Sequence, residues 1–187
     1  MRERAKKQES GENLYLTGFM GTGKSSIGRE VAKALGFRFI DSDRAIEKKE
    51  GMKISRIFAD KGEDFFRQCE RDFIESGHPN EGCVVACGGG LIIPDGMKKM
   101  VEDRGILVAL FASVETVLAR TSRNKSRPLL NVDDPKERIR QLMAEREPIY
   151  RKIDLAVSTD GRSFGDVRDA VVRIYRSHAR RSEQIGR

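Results

Sequence analysis

Gly18-Phe19-Met20-Gly21-Thr22-Gly23-Lys24-Ser25 matches the pattern G-x-x-x-x-G-K-[ST] throughout. A short apolar run, Asn13–Thr17, precedes it and reads as a strand. Lys24–Leu35 follows, with Ile27, Val31, Ala34 and Leu35 at helical spacing and Gly36 as a stop. In a strand–loop–helix context each residue type has a physical task. Gly18, Gly21 and Gly23 allow backbone angles that turn successive N–H groups toward one anion. The helix beginning near Lys24 points its positive end at the same place. Lys24 adds a mobile charge for the β and γ oxygens of a nucleotide, and the Ser25 hydroxyl stands where a magnesium ligand is needed. The competing reading is a glycine-rich turn that binds nothing. At this length the pattern arises by chance in on the order of one chain in a hundred or fewer.

Working outward, residues 37–40, 83–87, 106–111 and 155–158 are further apolar strand candidates. Between them lie helical segments at 45–50, 54–61, 63–77, 94–104, Val114–Thr121 and Pro135–Tyr150, with Asp133 and Asp134 placed to cap the last. A closing helix is expected over 167–180. Strands alternating with helices require crossover connections, which give a parallel sheet covered on both faces. The expected architecture is α/β: a three-layer α/β/α P-loop kinase fold on a five-stranded parallel sheet. One domain is expected over 13–178, with basic tails at 1–12 and 179–187. The polar, basic stretch 122–134 contains Pro128 and is the best candidate for a mobile lid.

Composition excludes several classes. The chain has 187 residues, 38% hydrophobic and 35% charged, enough apolar material for one core. No apolar run approaches the ~20 residues that span a bilayer. The charged N-terminus lacks a signal-type apolar stretch, so a cytoplasmic protein without membrane partners is expected. Cys69, Cys83 and Cys87 suit neither a disulfide framework nor, with only His78 and His178 as histidines, a structural zinc site. The net charge of +7 could signal nucleic-acid binding, but aromatics are 6% and there is no RGG tract. An anion pocket plus two basic tails explains the charge, and no nucleic-acid partner is expected. A regulatory GTPase would carry N-K-x-D; the similar run Asn124-Lys125-Ser126-Arg127 ends in arginine. A motor ATPase needs a longer chain. A small-molecule kinase remains.

Three segments address its substrate. Asp41-Ser42-Asp43 ends the second strand, where carboxylates sit beside the ligand crevice of a parallel sheet. Asp41 can face magnesium and Asp43 can accept hydrogen bonds from substrate hydroxyls; simple helix capping is the alternative. Arg67 and Glu70, three apart, share a helical face, either as a surface ion pair or as a guanidinium held for a carboxylate. Gly88-Gly89-Gly90 bares the backbone after a strand, as a ligand floor or as a flexible turn. The basic stretch Arg120, Arg123, Lys125, Arg127-Pro128-Leu129-Leu130, then Arg146-Glu147-Pro148-Ile149-Tyr150, is either a solvated face or a loop that closes over phosphates.

Taken in order, these motifs resemble the shikimate kinase family. The family's substrate-side signature is met by Arg67, Glu70, Ile74, Val84, Val85, Ala86 and Gly88-Gly89-Gly90. Its D-[ST]-D is Asp41-Ser42-Asp43, its R-P-L-L runs from Arg127 to Leu130, and its R-x-P-x-Y runs from Arg146 to Tyr150. The resemblance implies transfer of the γ-phosphoryl group of ATP to the 3-hydroxyl of shikimate, with Mg²⁺, by a monomer. It implies that Lys24 and Arg127 neutralise the moving phosphoryl group and that Asp43 accepts the hydroxyl proton. Asp43, Arg67, Gly88, Gly89, Gly90 and Arg146 would hold shikimate. Gly21, Thr22, Gly23, Lys24, Ser25, Ser26, Arg120, Arg127 and Arg162 would hold ATP, with Ser25 and Asp41 at the metal. The rivals are a gluconate or nucleoside-monophosphate kinase, or a non-catalytic nucleotide-binding module.

Overall fold

The computed structural model describes residues 11–122 and 132–185, with side chains described through 179. Five strands form one parallel sheet in the order β2-β3-β1-β4-β5. They are β1 (Asn13–Thr17), β2 (Arg38–Asp41), β3 (Cys83–Ala86), β4 (Gly105–Phe111) and β5 (Ala156–Ser158). The helices are α1 (Lys24–Leu35), α2 (Ser42–Glu50), α3 (Ile54–Ser76), α4 (Met97–Glu102), α5 (Val114–Thr121), α6 (Pro135–Tyr150) and α7 (Phe164–Ile185).

The period-two rule of strands divides the core. Leu14, Leu16, Val84, Val108 and Leu110 point to one face, against Ile27 and Val31 of α1 and Val167 and Val171 of α7. Tyr15, Val85, Leu107 and Ala109 point to the other, against Ile46, Ile57, Phe66, Phe73 and Ile139. Central strands β1 and β3 are buried at every position, as a sheet covered on both sides requires. The order places β3 beside β1, while the chain reaches β2 first and β4 next after β3. The connections from β1 and β3 therefore run in opposite directions. A crevice opens at their carboxyl ends, where both the glycine-lysine loop and the triple glycine begin.

Several boundaries differ from expectation for local reasons. The side chain of Asp41 accepts from the N–H of Arg44, so α2 starts at Ser42 rather than at 45, and Asp43 lies in its first turn. The two helices expected at 54–61 and 63–77 are both present, parted at a non-helical Gly62 (φ 84°, ψ 174°), and together carry the label α3. Pro94 and the positive φ of Gly96 shorten α4 to Met97–Glu102. Ser163 and Asp166 exchange side-chain-to-backbone bonds as a capping box, which starts α7 at Phe164, before its apolar period. That helix continues to Ile185, into the segment read as the C-terminal tail.

Candidate active site

At the carboxyl edge of the sheet the loop after β1 wraps a cavity of about 400 Å³ whose wall includes Lys24, Ser25, Asp41, Asp43, Gly88 and Arg120. Gly18, Gly21 and Gly23 all take positive φ, the conformation their sequence pattern promised. Lys24 Nζ donates to Gly18 O at 2.7 Å and Phe19 O at 3.0 Å, holding its charge over the loop. Thr22 donates its hydroxyl to Phe19 O at 2.8 Å and is buried, so its hydroxyl braces the loop from within. Ser26 stands beside Ser25 on the same wall.

Opposite the loop, the end of β2 supplies the acids. Ser25 Oγ donates to Asp41 Oδ2 at 2.7 Å, and the same carboxylate caps α2. The capping reading of Asp41 is thus correct and accompanies its contact with Ser25. Asp43 is different. Its Oδ1 is buried and has no hydrogen-bond partner among the described residues. Burial, seconded by the charge of Asp41, holds its carboxyl above the usual carboxylate range, against the pull of Lys24. A buried polar oxygen without a partner is costly in a structural role and points to a ligand.

The triple glycine abuts this acid. A Cβ on Gly88 would stand 2.4 Å from Asp43 Oδ1, closer than real contacts allow. The N–H of Gly88 donates to Ser42 Oγ at 2.8 Å, which locks the glycine run to the first turn of α2. Gly88→Ala is therefore expected to displace Asp43 and reduce turnover by about tenfold or more, since about 1.4 kcal/mol of misplacement is a factor of ten. Steady-state kinetics with a melting curve checks it; unchanged kcat would free Asp43 from this contact.

Gly90 and two arginines lie just beyond the cavity wall. Arg67 Nη1 donates to Glu70 Oε2 at 2.7 Å, and Glu70 is 2% exposed, so this is no surface pair. Burial pushes the Glu70 carboxyl up to about 7, against the opposing pull of Arg67. Arg146 Nη1 and Tyr150 Oη both donate to Gly89 O, at 3.1 and 2.6 Å. Within the cavity wall Arg120 Nη1 donates to Gly21 O at 3.2 Å and Thr159 Oγ1 at 3.0 Å, and Arg162 lines the same cavity.

The expected residues thus converge, with one group beyond view: Arg127, like Arg123, Lys125 and the rest of 123–131, lies outside the described residues. Three contributors escaped the sequence reading. In the sequence Ser42 stands between two aspartates with no task of its own, whereas in the fold it accepts the bond from Gly88 N–H. Tyr150 was quoted without a role; its spacing of four from Arg146 places both on one helix face, a signal available beforehand. Glu63, whose carboxylate also meets Arg67, had no signal beyond the same i,i+4 spacing.

A glycine-lysine loop, sharing one crevice with a buried carboxylate whose Oδ1 has no partner among the described residues, on a five-stranded parallel sheet, defines a small-molecule kinase of the P-loop class. The family model described as "Shikimate kinase" matches residues 20–175. The chain is 46% identical over 167 residues to a shikimate kinase of Thermus thermophilus, covering 89% of this chain and 91% of that one. It is 41% identical over 164 residues to one from Thermodesulfovibrio yellowstonii, covering 88% and 95%. The solved shikimate kinase of Acinetobacter baumannii in complex with shikimate superimposes with a TM-score of 0.82 at 37% identity, over 89% of this chain and 94% of that one. The chain belongs to the shikimate kinase family.

Proposed function

We propose that the enzyme transfers the γ-phosphoryl group of ATP to the 3-hydroxyl of shikimate, giving shikimate 3-phosphate and ADP on the route to chorismate and the aromatic amino acids. The observation that carries this is the partnerless Asp43 Oδ1, seated against the bare glycine run in the cavity that also holds Lys24 and Ser25. A polyol acid offers what those groups lack: hydroxyls for Asp43 and a carboxylate for Arg67 and Arg146.

Phosphoryl transfer through a loose transition state needs placement and charge neutralisation. The bond from the γ-phosphorus to the bridging oxygen breaks, a bond to the 3-oxygen of shikimate forms, and ADP leaves. Asp43 orients the attacking hydroxyl and accepts its proton. Lys24 neutralises charge on the β and γ oxygens, with Gly21, Thr22, Gly23, Ser25 and Ser26 around the phosphates and Arg120 and Arg162 toward the adenine. Arg127 is assigned to the moving phosphoryl group on the family resemblance. Ser25 Oγ and the Asp41 carboxylate, bonded at 2.7 Å, are hard oxygen donors that fit Mg²⁺, which takes one or two protein oxygens beside substrate phosphates. When bound there, Mg²⁺ supplies charge neutralisation at the phosphates. Gly88, Gly89 and Gly90 line the ring. We read residues 13–178 as the kinase domain and the protein as a cytoplasmic monomer with small-molecule partners only; of the lid expected over 122–134, residues 123–131 lie outside the described residues.

Asp43 must be ionised to take the proton, and its carboxyl is held above the ordinary 3.8. Lowering the pH through that raised value protonates it. Turnover is therefore expected to rise with pH along an acid limb whose midpoint lies above 3.8, as read from a kcat–pH profile. The sign for stability is opposite: a buried carboxyl with a raised value favours the fold at low pH and costs stability as pH rises through it. The substrate is tested by coupled ADP release with shikimate, gluconate and AMP. Release with shikimate alone supports the proposal; release with gluconate or AMP instead replaces it with a rival kinase.

A further inference from the structure

Arg67 is gripped from two sides. Its Nη1 donates to Glu70 Oε2 at 2.7 Å. Its Nε and Nη2 both donate to Glu63 Oε1, at 3.1 and 2.7 Å. A guanidinium has five N–H groups. Among the described residues these bonds engage three of them, which leaves one on each Nη. A Cβ built on Gly90 would lie 3.1 Å from Nη1, 3.3 Å from Nη2 and 3.6 Å from Cζ. Closer to both nitrogens than to the carbon, it meets the edge between them. That edge is the fork a carboxylate pairs with bidentately, and the missing side chain of Gly90 leaves it uncovered.

Glu70 alone touches one corner of the guanidinium. Such a contact leaves the plane free to swing on a long, flexible stem. Glu63 grips the opposite flank and fixes the plane, so that the free edge keeps facing the glycine floor. A blander role exists. Glu63 follows the break at Gly62, and an acid in the first turn of a helical segment suits the helix dipole. That role would not require a carboxylate oxygen bonded twice to Arg67. Glu63 is 61% exposed, so water screens its repulsion of an incoming anion, while its hydrogen bonds act at contact.

We propose that Glu63 is a positioning residue for substrate capture: with Glu70 it brackets Arg67 so that the free Nη1–Nη2 edge is presented to the substrate's carboxylate. This rests on reading Arg67 as part of the clamp for the shikimate carboxylate. The test is Glu63→Ala and Glu63→Gln, assayed against shikimate and against its methyl ester, alone and with Arg67→Ala. An exposed pair of this kind allows an effect of about two- to fivefold. The expected result is a rise of that size in the KM for shikimate in Glu63→Ala and a smaller one in Glu63→Gln, whose carbonyl oxygen still accepts from Arg67. kcat, the KM for ATP and the melting temperature stay unchanged. The KM for the uncharged ester does not move, and Glu63→Ala adds nothing on the Arg67→Ala background. A KM for shikimate that is unchanged or lowered in Glu63→Ala overturns the proposal, as does an equal rise for the ester or an effect additive with Arg67→Ala. If the unsubstituted enzyme fails to phosphorylate shikimate at all, the substrate reading falls and takes the proposal with it; activity without the KM shift sinks the proposal alone.

Discussion

Asp43→Asn is expected to lower kcat by about 10²–10⁴-fold, the usual contribution of a positioned acid–base group, while ATP binds as before. The amide keeps the volume of the carboxylate, so the contact with Gly88 survives. What it loses is the ability to accept the hydroxyl proton. Asp43 Oδ1 is buried and has no hydrogen-bond partner among the described residues, so the amide breaks no bond at that atom and gives up only the attraction of Lys24 and the bond from Ser42. The substitution also removes the buried charge that desolvation and Asp41 disfavour, so the variant should melt no lower than the parent. Kinetics, nucleotide titration and a melting curve together check this. Near-normal kcat would remove Asp43 from the chemistry, and lost ATP binding would move its role to the phosphate cup.

Arg67→Ala is expected to raise the KM for shikimate by about a hundredfold, with a smaller effect on kcat. Charge-assisted hydrogen bonds contribute about 1.5–3 kcal/mol each, and about 2.7 kcal/mol corresponds to that factor. The variant also strips Glu70 of its partner. Glu70 already sits at about 7 rather than 4.5 because burial outweighs the pull of Arg67. A raised carboxyl favours the fold below its unfolded value, and that advantage is lost as pH rises through the folded value. Without Arg67 the folded value moves higher still, so the loss of melting temperature should be larger at pH 8 than at pH 5. A shikimate KM equal to the parent's would dissolve the carboxylate clamp.

The sheet was legible in the sequence because its central strands β1, β3 and β4 are buried on both faces and its strands are separated by helical periods. Parallel crossovers leave few other ways to bury such runs, and Tyr15 falling opposite Leu14 and Leu16 follows from alternation alone. The conformation of the glycine loop was legible because positive φ at Gly18, Gly21 and Gly23 demands glycine at those places. Contacts across the crevice were not. That Ser42 ties Gly88, or that Tyr150 and Arg146 meet at Gly89 O, depends on how β2, β3 and α6 pack, and no local pattern encodes it. Helix starts were missed where side-chain caps, at Asp41 and at Ser163, extend a helix beyond its apolar period. Glu63 and Glu70 illustrate the same limit from one helix: spacing paired Glu70 with Arg67 and passed over Glu63, and only packing reveals that the first is buried and the second is not.

Phosphorus NMR of the enzyme turning over ATP, Mg²⁺ and shikimate asks most directly whether donor and acceptor meet in one crevice. The expected spectrum gains a phosphomonoester resonance, assigned to shikimate 3-phosphate, in step with ADP. A spectrum that gains only inorganic phosphate and ADP, or that stays as ATP, would mean that no shikimate hydroxyl reaches the phosphate cup.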